Sequence, residues 1–364
     1  MKCKLNDICS FANEKIDVAL LSKTSYISTE NMLPNKAGIT TATSLPTVNQ
    51  TQAFKSNDVL ISNIRPYFKK IWYATFDGGC SNDVLVLRAN ADIDPHYLYY
   101  LLADDVFFDY ATATAKGTKM PRGDKAAIMK FEVNVYDIAV QRKIVSLLAD
   151  IDAKIALNNA INCNLEQQAQ ALYNKYFFSK NNNQTTARTL DYFCSIFTGK
   201  KNANASVYNG KYKFFTCSPE ALLIDSYIYD GNAIIVSGNG AYTGRTRFYS
   251  GRFNLYQRTY ACTLKENVNS DYIFPLYWFV KFELSKKIKG GTRGSAIPYI
   301  VMNDLAKFEF TFNEKTMDRF SALFKDITLT IQTNEEENER LSTLRDALLP
   351  KLMNGEIDVS EVEI

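Results

Sequence analysis

Positions four and three residues apart trace a seam through the middle of the chain: Ile144, Leu148, Ile151, Ile155, Asn158, Asn162, Leu165, Ala169, Leu172 and Tyr176. That alternation belongs to a coiled-coil helix. Adding 176 to each number gives Phe320, Phe324, Ile327, Ile331, Asn334, Asn338, Leu341, Arg345, Leu348 and Leu352. Both series carry asparagine at the same two seam positions. A buried Asn costs stability but fixes register, because its amide must find a mate. The matched asparagines favour pairing of the two helices with each other over two amphipathic helices each packed on its own domain. The second helix should stop at Asn354-Gly355, a C-cap signal. The first fades at Phe178-Ser179-Lys180, before a polar linker from Asn181 to Thr186. Each helix is read as about 35 residues, roughly 50 Å long.

The repetition extends beyond the helices. Leu5-Asn6-Asp7-Ile8-Cys9-Ser10-Phe11 returns as Leu190-Asp191-Tyr192-Phe193-Cys194-Ser195-Ile196. Tyr26-Ile27-Ser28-Thr29 is echoed by Phe214-Phe215-Thr216-Cys217, and Val59-Leu60-Ile61-Ser62 by Ile234-Ile235-Val236-Ser237. Lys116-Gly117-Thr118-Lys119 matches Gly290-Gly291-Thr292-Arg293 in type, and Lys130-Phe131-Glu132-Val133 returns as Lys307-Phe308-Glu309-Phe310. The shared order predicts a duplicated α+β architecture: two α/β globular domains, each followed by a long helix, the helices forming an antiparallel coiled coil. The expected segments are 1–140, a first domain; 141–180, the first helix; 181–315, the linker and second domain; and 316–364, the second helix and tail.

Composition narrows the chemistry. The chain has 364 residues, 46% hydrophobic and 22% charged, an ordinary globular balance for two domains. The longest apolar run, Ile273 to Val280, is interrupted by Pro275 and cannot span a bilayer. Met1 to Asp7 has no apolar core of a signal peptide. His96, the single histidine, follows Asp94-Pro95 at an expected helix start and reads as a surface or capping residue. Seven cysteines, none spaced C-x-x-C, argue against a zinc site or a disulfide framework, and for a reducing cytoplasm.

Charge is divided unevenly. Residues 1–140 hold 15 basic against 15 acidic side chains, 187–315 hold 17 against 10, and 316–364 hold 5 against 11. The acidic run Glu335-Glu336-Glu337 reads as a solvated face or a surface for a basic partner protein. In the basic second domain, Gly238-Asn239-Gly240-Ala241-Tyr242-Thr243-Gly244-Arg245-Thr246-Arg247 follows an apolar strand, with Arg252 beyond it. The analogue in the first domain is Asn63-Ile64-Arg65-Pro66-Tyr67-Phe68-Lys69-Lys70. Arginine suits bidentate contact with guanine and phosphate, and tyrosine can pack on sugar or base. The loops Lys116-Gly117-Thr118-Lys119-Met120-Pro121-Arg122 and Lys289-Gly290-Gly291-Thr292-Arg293-Gly294-Ser295 combine glycine, hydroxyls and cations, a set that suits phosphate. The candidate DNA-binding residues are therefore Arg65, Tyr67, Lys69, Lys70, Lys116, Thr118, Lys119 and Arg122 in the first domain. In the second they are Asn239, Tyr242, Arg245, Arg247, Arg252, Thr292, Arg293 and Ser295. Ordinary surface hairpins and turns are the competing reading; their occurrence at equivalent points in both halves favours function.

Enzyme motifs fail on inspection. Gly238-x-Gly240-x-x-x-Gly244 has the wrong spacing for a dinucleotide fingerprint, and strand rather than helix should follow it. A P-loop would need glycine at Asn239 and lysine at Arg245. No Asn/Asp-Pro-Pro-Tyr/Phe tetrapeptide of the amino-methyltransferase kind occurs. No catalytic residue, metal site or cofactor is assigned to the chain.

Taken together, the sequence resembles a type I restriction–modification specificity subunit. The resemblance rests on the paired starts (Leu5, Cys9, Ser10; Leu190, Cys194, Ser195), the strand Asn57 to Ser62, the Gly-Thr-Lys and Gly-Thr-Arg loops, and the heptad helices. The tail Leu344-Arg345-Asp346-Ala347-Leu348-Leu349-Pro350-Lys351-Leu352-Met353-Asn354-Gly355-Glu356-Ile357 resembles the family's C-terminal signature. Before the first helix the family often has Pro and Glu-Gln, of which only Gln141 is kept here; the second copy has Met317. The resemblance implies a non-catalytic subunit in which each domain reads one half of a bipartite, asymmetric double-stranded DNA site. It implies that the helices set the spacer and dock two methyltransferase subunits, and that restriction subunits complete the assembly. S-adenosylmethionine, and ATP with Mg, would belong to those partners, in a bacterial or archaeal cytoplasm. Alternatives are the recognition subunit of a bifunctional type IIB/IIG-like cleavage–methylation enzyme, and a coiled-coil scaffold with two protein-binding domains.

Overall fold

A computed structural model describes residues 2–177, 186–284, 286 and 299–362. It divides into two compact units, Met1–Ile155 with Glu339–Ile364, and Ala156–Asn338. The long helices run Ile138–Tyr176 (39 residues) and Glu314–Met353 (40 residues), each starting before its first seam residue. Each unit thus contains one globular segment and a stretch of both helices.

In the first unit Lys2–Lys4 pairs antiparallel with Glu132–Asn134, and the short helix Leu5–Ile8 leads into Cys9–Phe11. Cys9–Phe11 is the edge of a four-stranded sheet completed by Val84–Ala89, Val59–Ser62 and Ile71–Tyr73. A second four-stranded sheet holds Lys15–Asp17, Gln50–Phe54, Gly78–Cys80 and Tyr26–Ile27. Side chains alternate along a strand. Val59 and Ile61 therefore join Leu85 and Leu87 in a core with the helices Pro95–Ala103 and Asp105–Ala113, while Leu60 joins Val84, Val86, Phe54 and Ile27 on the other face. Burial on both faces explains the continuous apolar run.

Asp94 caps the helix Pro95–Ala103, accepting from the N–H groups of His96 and Tyr97. His96 itself is not a free surface residue: its ring stacks on Tyr73 at 3.8 Å and lies 6.0 Å from Tyr100. Burial lowers its pKa, against the opposing pull of Asp94 and Asp152. A base with a depressed folded pKa binds fewer protons when folded, so stability is full above the unfolded value of about 6.5 and declines as pH falls toward the folded value. In urea melts the wild type should lose stability below about pH 6.5, and His96→Phe should flatten that decline; an unchanged pH profile would refute the assignment.

The second unit repeats the plan. Thr186–Thr189 pairs with Glu309–Phe312, and the helix Leu190–Phe193 leads into Cys194–Thr198. Leu190 and Cys194 are buried like their counterparts Leu5 and Cys9. Here the strands form one six-stranded sheet, ordered Cys194–Thr198, Thr259–Leu264, Tyr229–Ser237, Thr246–Leu255, Tyr212–Phe215, Leu222–Ile224. The echoed strands Tyr26–Ile27 and Tyr212–Phe215 are each paired parallel to a neighbour. Trp278, on the helix Ile273–Phe279, is fully buried and donates its indole N–H to the Thr328 hydroxyl at 2.9 Å.

None of the predicted seam residues is exposed. Asn158 donates to Asn338 at 2.9 Å and to Glu337 at 2.7 Å, while Asn334 donates to Asn162 at 2.8 Å. The ascending order 158, 162 meets the descending order 338, 334, so the helices run antiparallel here. Asn159 and Glu337 also join the network, Asn338 donating to Asn159 at 2.9 Å. Glu337, read from sequence as part of a solvated acidic face, is therefore partly engaged at the seam. In the first unit, Arg345 pairs with Asp152 at 2.8 Å and Lys143 donates to the Ser360 carbonyl, again an antiparallel order.

Gln141 is buried: its carbonyl accepts from Asp94 N–H at 2.8 Å, and its amide donates to the Tyr136 carbonyl at 2.9 Å. It ties the start of the first long helix to the cap of Pro95–Ala103. Met317, its counterpart, is an apolar core residue. The second helix ends in a Schellman motif, Glu356 N–H to Lys351 carbonyl at 2.9 Å and Gly355 N–H to Leu352 carbonyl at 3.3 Å, with Gly355 at φ +74°.

Candidate nucleic-acid interface

Val59–Ser62 is held by core packing and delivers the chain to a loop whose backbone is sharply turned. Pro66 opens the single turn Pro66–Phe68, flanked by Arg65 and Lys69, both at φ +50°. Tyr67 and Phe68 are exposed, with ring centroids 4.8 Å apart. The Lys116–Arg122 loop closes on itself through paired backbone bonds between its end residues, at 2.8 and 2.9 Å. It is laid against the first loop: Ile64 bridges Arg122, Arg65 N–H donates to the Pro121 carbonyl at 2.8 Å, and Gly123 N–H to the Asn63 carbonyl at 3.0 Å. The two loops that carry Arg65, Tyr67, Lys69, Lys116, Thr118, Lys119 and Arg122 are thereby laid side by side.

The second unit uses the same joint. After Tyr229–Ser237 the loop is closed by Gly244 N–H to the Ser237 carbonyl (2.8 Å) and Ser237 N–H to the Arg245 carbonyl (3.0 Å). Gly240 and Gly244 take φ of +86° and +80°, a region that favours glycine. Asn239 bridges Tyr299, and Ile300 N–H donates to the Gly238 carbonyl at 2.9 Å. Asn239 with Tyr299 matches Ile64 with Arg122 in repeat position. Tyr242 and Arg245 project together, the guanidinium 5.7 Å from the ring centre. Thr292, Arg293 and Ser295 lie outside the described residues.

Charge is spent differently among these residues. Lys69 and Lys36 both pair with Asp105, at 2.8 and 2.9 Å. Burial works to raise the Asp105 pKa, but the bonds from the two lysines bring it below the ordinary value. Lys116 pairs with Asp124 at 2.5 Å and Arg122 with Asp83 at 3.1 Å. Lys119 is exposed, with no ion pair to a described residue.

Three sequence candidates are placed elsewhere. Lys70 donates to the Thr29 carbonyl at 2.6 Å, and burial lowers its pKa. Arg247 donates to the Ser218 and Pro219 carbonyls and lies over Phe215; burial, with Arg245 nearby, pushes its pKa down to about 10. Its guanidinium fastens a loop instead of projecting from the surface. Arg252 pairs with Asp230 at 2.8 Å, six ladder positions beyond Thr246, or roughly 20 Å along the strand. It does not join the Tyr242–Arg245 cluster.

Among the described residues no group of three or more His, Cys, Asp or Glu side chains could hold a metal ion, and no helix is long and apolar enough to cross a membrane.

A family model described as the type I restriction modification DNA specificity domain matches residues 1–167 and again 180–339. The chain belongs to this family. One match falls on each copy of the repeat. The specificity subunit of type I restriction enzyme EcoDI from Escherichia coli is 34% identical over 167 residues, 44% of this chain and 36% of that one. The HindI specificity subunit from Haemophilus influenzae is 30% identical over 184 residues, 48% of this chain and 39% of that one. The matched stretches thus span under half the length of these two relatives. In fold, the S subunit of a type I restriction–modification system from M. genitalium superposes with a TM-score of 0.63, covering 97% of this chain and 96% of that one at 13% identity.

Proposed function

We propose that this specificity-family chain reads a bipartite, asymmetric site on double-stranded DNA, one half through each recognition domain. The observation that carries the reading is the repeated joint. In both units a basic, aromatic loop leaving the central strand is bridged to a second loop at the equivalent residue, Ile64 to Arg122 and Asn239 to Tyr299. Different side chains stand at the two joints, so the half-sites should differ. The paired helices set the unread spacer, their asparagines fixing the register, and their outer faces dock two methyltransferase subunits. Restriction subunits complete the assembly. The chain itself is non-catalytic: adenine methylation with S-adenosylmethionine and cleavage with ATP and Mg belong to the partners.

Binding to duplexes should separate the roles. Lys119→Gln should weaken all sequences alike and lower the slope of log K against log salt by about one unit. Arg245→Gln should relax one base position by about 1–3 kcal/mol, or roughly 5- to 150-fold. Salt-independent binding, or loss of preference throughout both half-sites from Arg245→Gln, would contradict the assignment.

A further inference from the structure

The second unit carries a cationic segment that lies outside both paired loops. From Tyr192 through Pro219 the sequence contains no acidic residue, yet it holds Lys200, Lys201, Lys211 and Lys213. Lys200, Lys201 and Lys211 are exposed and make no ion pair with a described residue. Tyr208, between them, is 94% exposed, so no described residue covers its ring.

The segment is fixed to the sheet at several points. A Cβ on Gly199 would stand 1.7 Å from the Leu255 carbonyl oxygen, and one on Gly210 would stand 2.5 Å from Ile224 N. Only glycine lets the backbone approach so closely. Val207 N–H donates to the Leu223 carbonyl at 2.8 Å, and Gln257 N–H to the Lys201 carbonyl at 3.0 Å. The next residue of that turn, Arg258, accepts from Gly238 N–H at 2.8 Å through its carbonyl. One turn, Gln257-Arg258, thus anchors both the cationic segment and the start of the Gly238–Arg245 loop. Arg258 is exposed.

We propose that Lys200–Lys211 is a strap that grips the phosphate backbone of duplex DNA beside the half-site read by the second domain. This inference rests on the DNA-reading function proposed above. Lys200, Lys201 and Lys211 neutralise phosphates, and Tyr208 packs against the sugar–phosphate edge. Phosphate contacts position a protein without specifying sequence. In the first unit the acid-free stretch Asn31 to Asn57 holds two lysines, and both are ion-paired, Lys36 with Asp105 and Lys55 with Glu14. The residues after its strand Cys9–Phe11 include Glu14, which pairs with Lys55 and Arg88, both at 2.9 Å. Backbone grip is therefore unequal between the domains, with the second supplying more of the salt-dependent affinity.

The test uses the full chain, with the subunits that co-purify with it, and a fluorescent 40-base-pair duplex of random sequence. Each phosphate contact contributes roughly 0.9 to the slope of log K against log salt. The triple variant Lys200→Gln, Lys201→Gln, Lys211→Gln should lower that slope by about two to three units and weaken binding alike on every sequence. The triple arginine variant should keep the wild-type slope, and Tyr208→Ala should weaken binding by a sequence-independent factor. An unchanged slope in the glutamine variant, with wild type binding normally, overturns the strap. So does an unchanged slope accompanied by loss of a co-purifying subunit, which would make the segment a protein contact. Failure of the wild type to bind any duplex overturns the DNA-reading function instead.

Discussion

Trp278→Ala should destabilise the second unit by about 4 kcal/mol, the cost of a large emptied core site. The indole is fully buried in a cluster that includes Phe274, Phe324 and Ile327, and it supplies the hydrogen bond that ties Ile273–Phe279 to the second long helix. Trp278→Phe keeps most of the volume and loses the bond, so about 1–2 kcal/mol is expected. Thr328→Val should cost a similar amount by leaving the indole N–H without its acceptor. The chain's two tryptophans make the measurement direct. In Trp278→Ala the remaining fluorescence comes from Trp72 in the first unit. Urea melts followed by circular dichroism should show the shifted transition, while Trp72 emission should report a smaller shift. A loss below 1 kcal/mol would mean that Trp278 is not the anchor.

Arg345→Ala should cost the first unit about 2–3 kcal/mol. Arg345 lies between the helices with a side chain 15% exposed, bonded to Asp152 at 2.8 Å and to Asp346 at 2.9 Å. Asp152 also accepts the Tyr100 hydroxyl at 2.8 Å. Removing the guanidinium leaves a partly buried carboxylate without its cation, which is costly; replacing both partners with apolar groups is often neutral or stabilising. The double variant Arg345→Met, Asp152→Leu should therefore recover most of the loss in thermal melts. If the double variant is as unstable as the sum of the singles, the two residues act independently and the account of the pair fails. At the matching positions in the second unit stand Ala169 and Thr328, both buried, so the ion pair is particular to one copy.

Much of this architecture was legible because it repeats. The asparagines at equal seam positions announced a paired helix: a buried amide needs a partner, and antiparallel pairing of two copies supplies one, Asn158 with Asn338 and Asn162 with Asn334. The apolar strands Val59–Ser62 and Ala233–Val236 were visible because cover on both faces removes polar alternation. Ion pairing of the candidate cations was not legible. Lys69 meets Asp105 and Arg247 meets the Ser218 carbonyl only through the tertiary fold, so sequence could not distinguish them from Lys119 or Arg245. His96 was placed at a helix start, yet its stacking partner Tyr73 comes from a separate strand. The Lys200–Lys211 segment leaves a readable signal, a long stretch without acid, but so does Asn31 to Asn57 in the first half, and only the fold shows that the lysines of that stretch are ion-paired. Of the Pro and Glu-Gln that the family often has before the first helix only Gln141 is kept, with Met317 in the second copy; the hydrogen bonds to Asp94 and Tyr136 show what the amide does where it is kept.

The function is tested most directly by mapping methylated bases across the genome of cells carrying this gene with its neighbours, beside cells lacking it. Two unlike recognition domains joined by register-fixed helices predict one interrupted motif, with different sequences on the two sides of a constant unread gap. A continuous short motif, two identical half-sites, or a gap that varies among sites would contradict it.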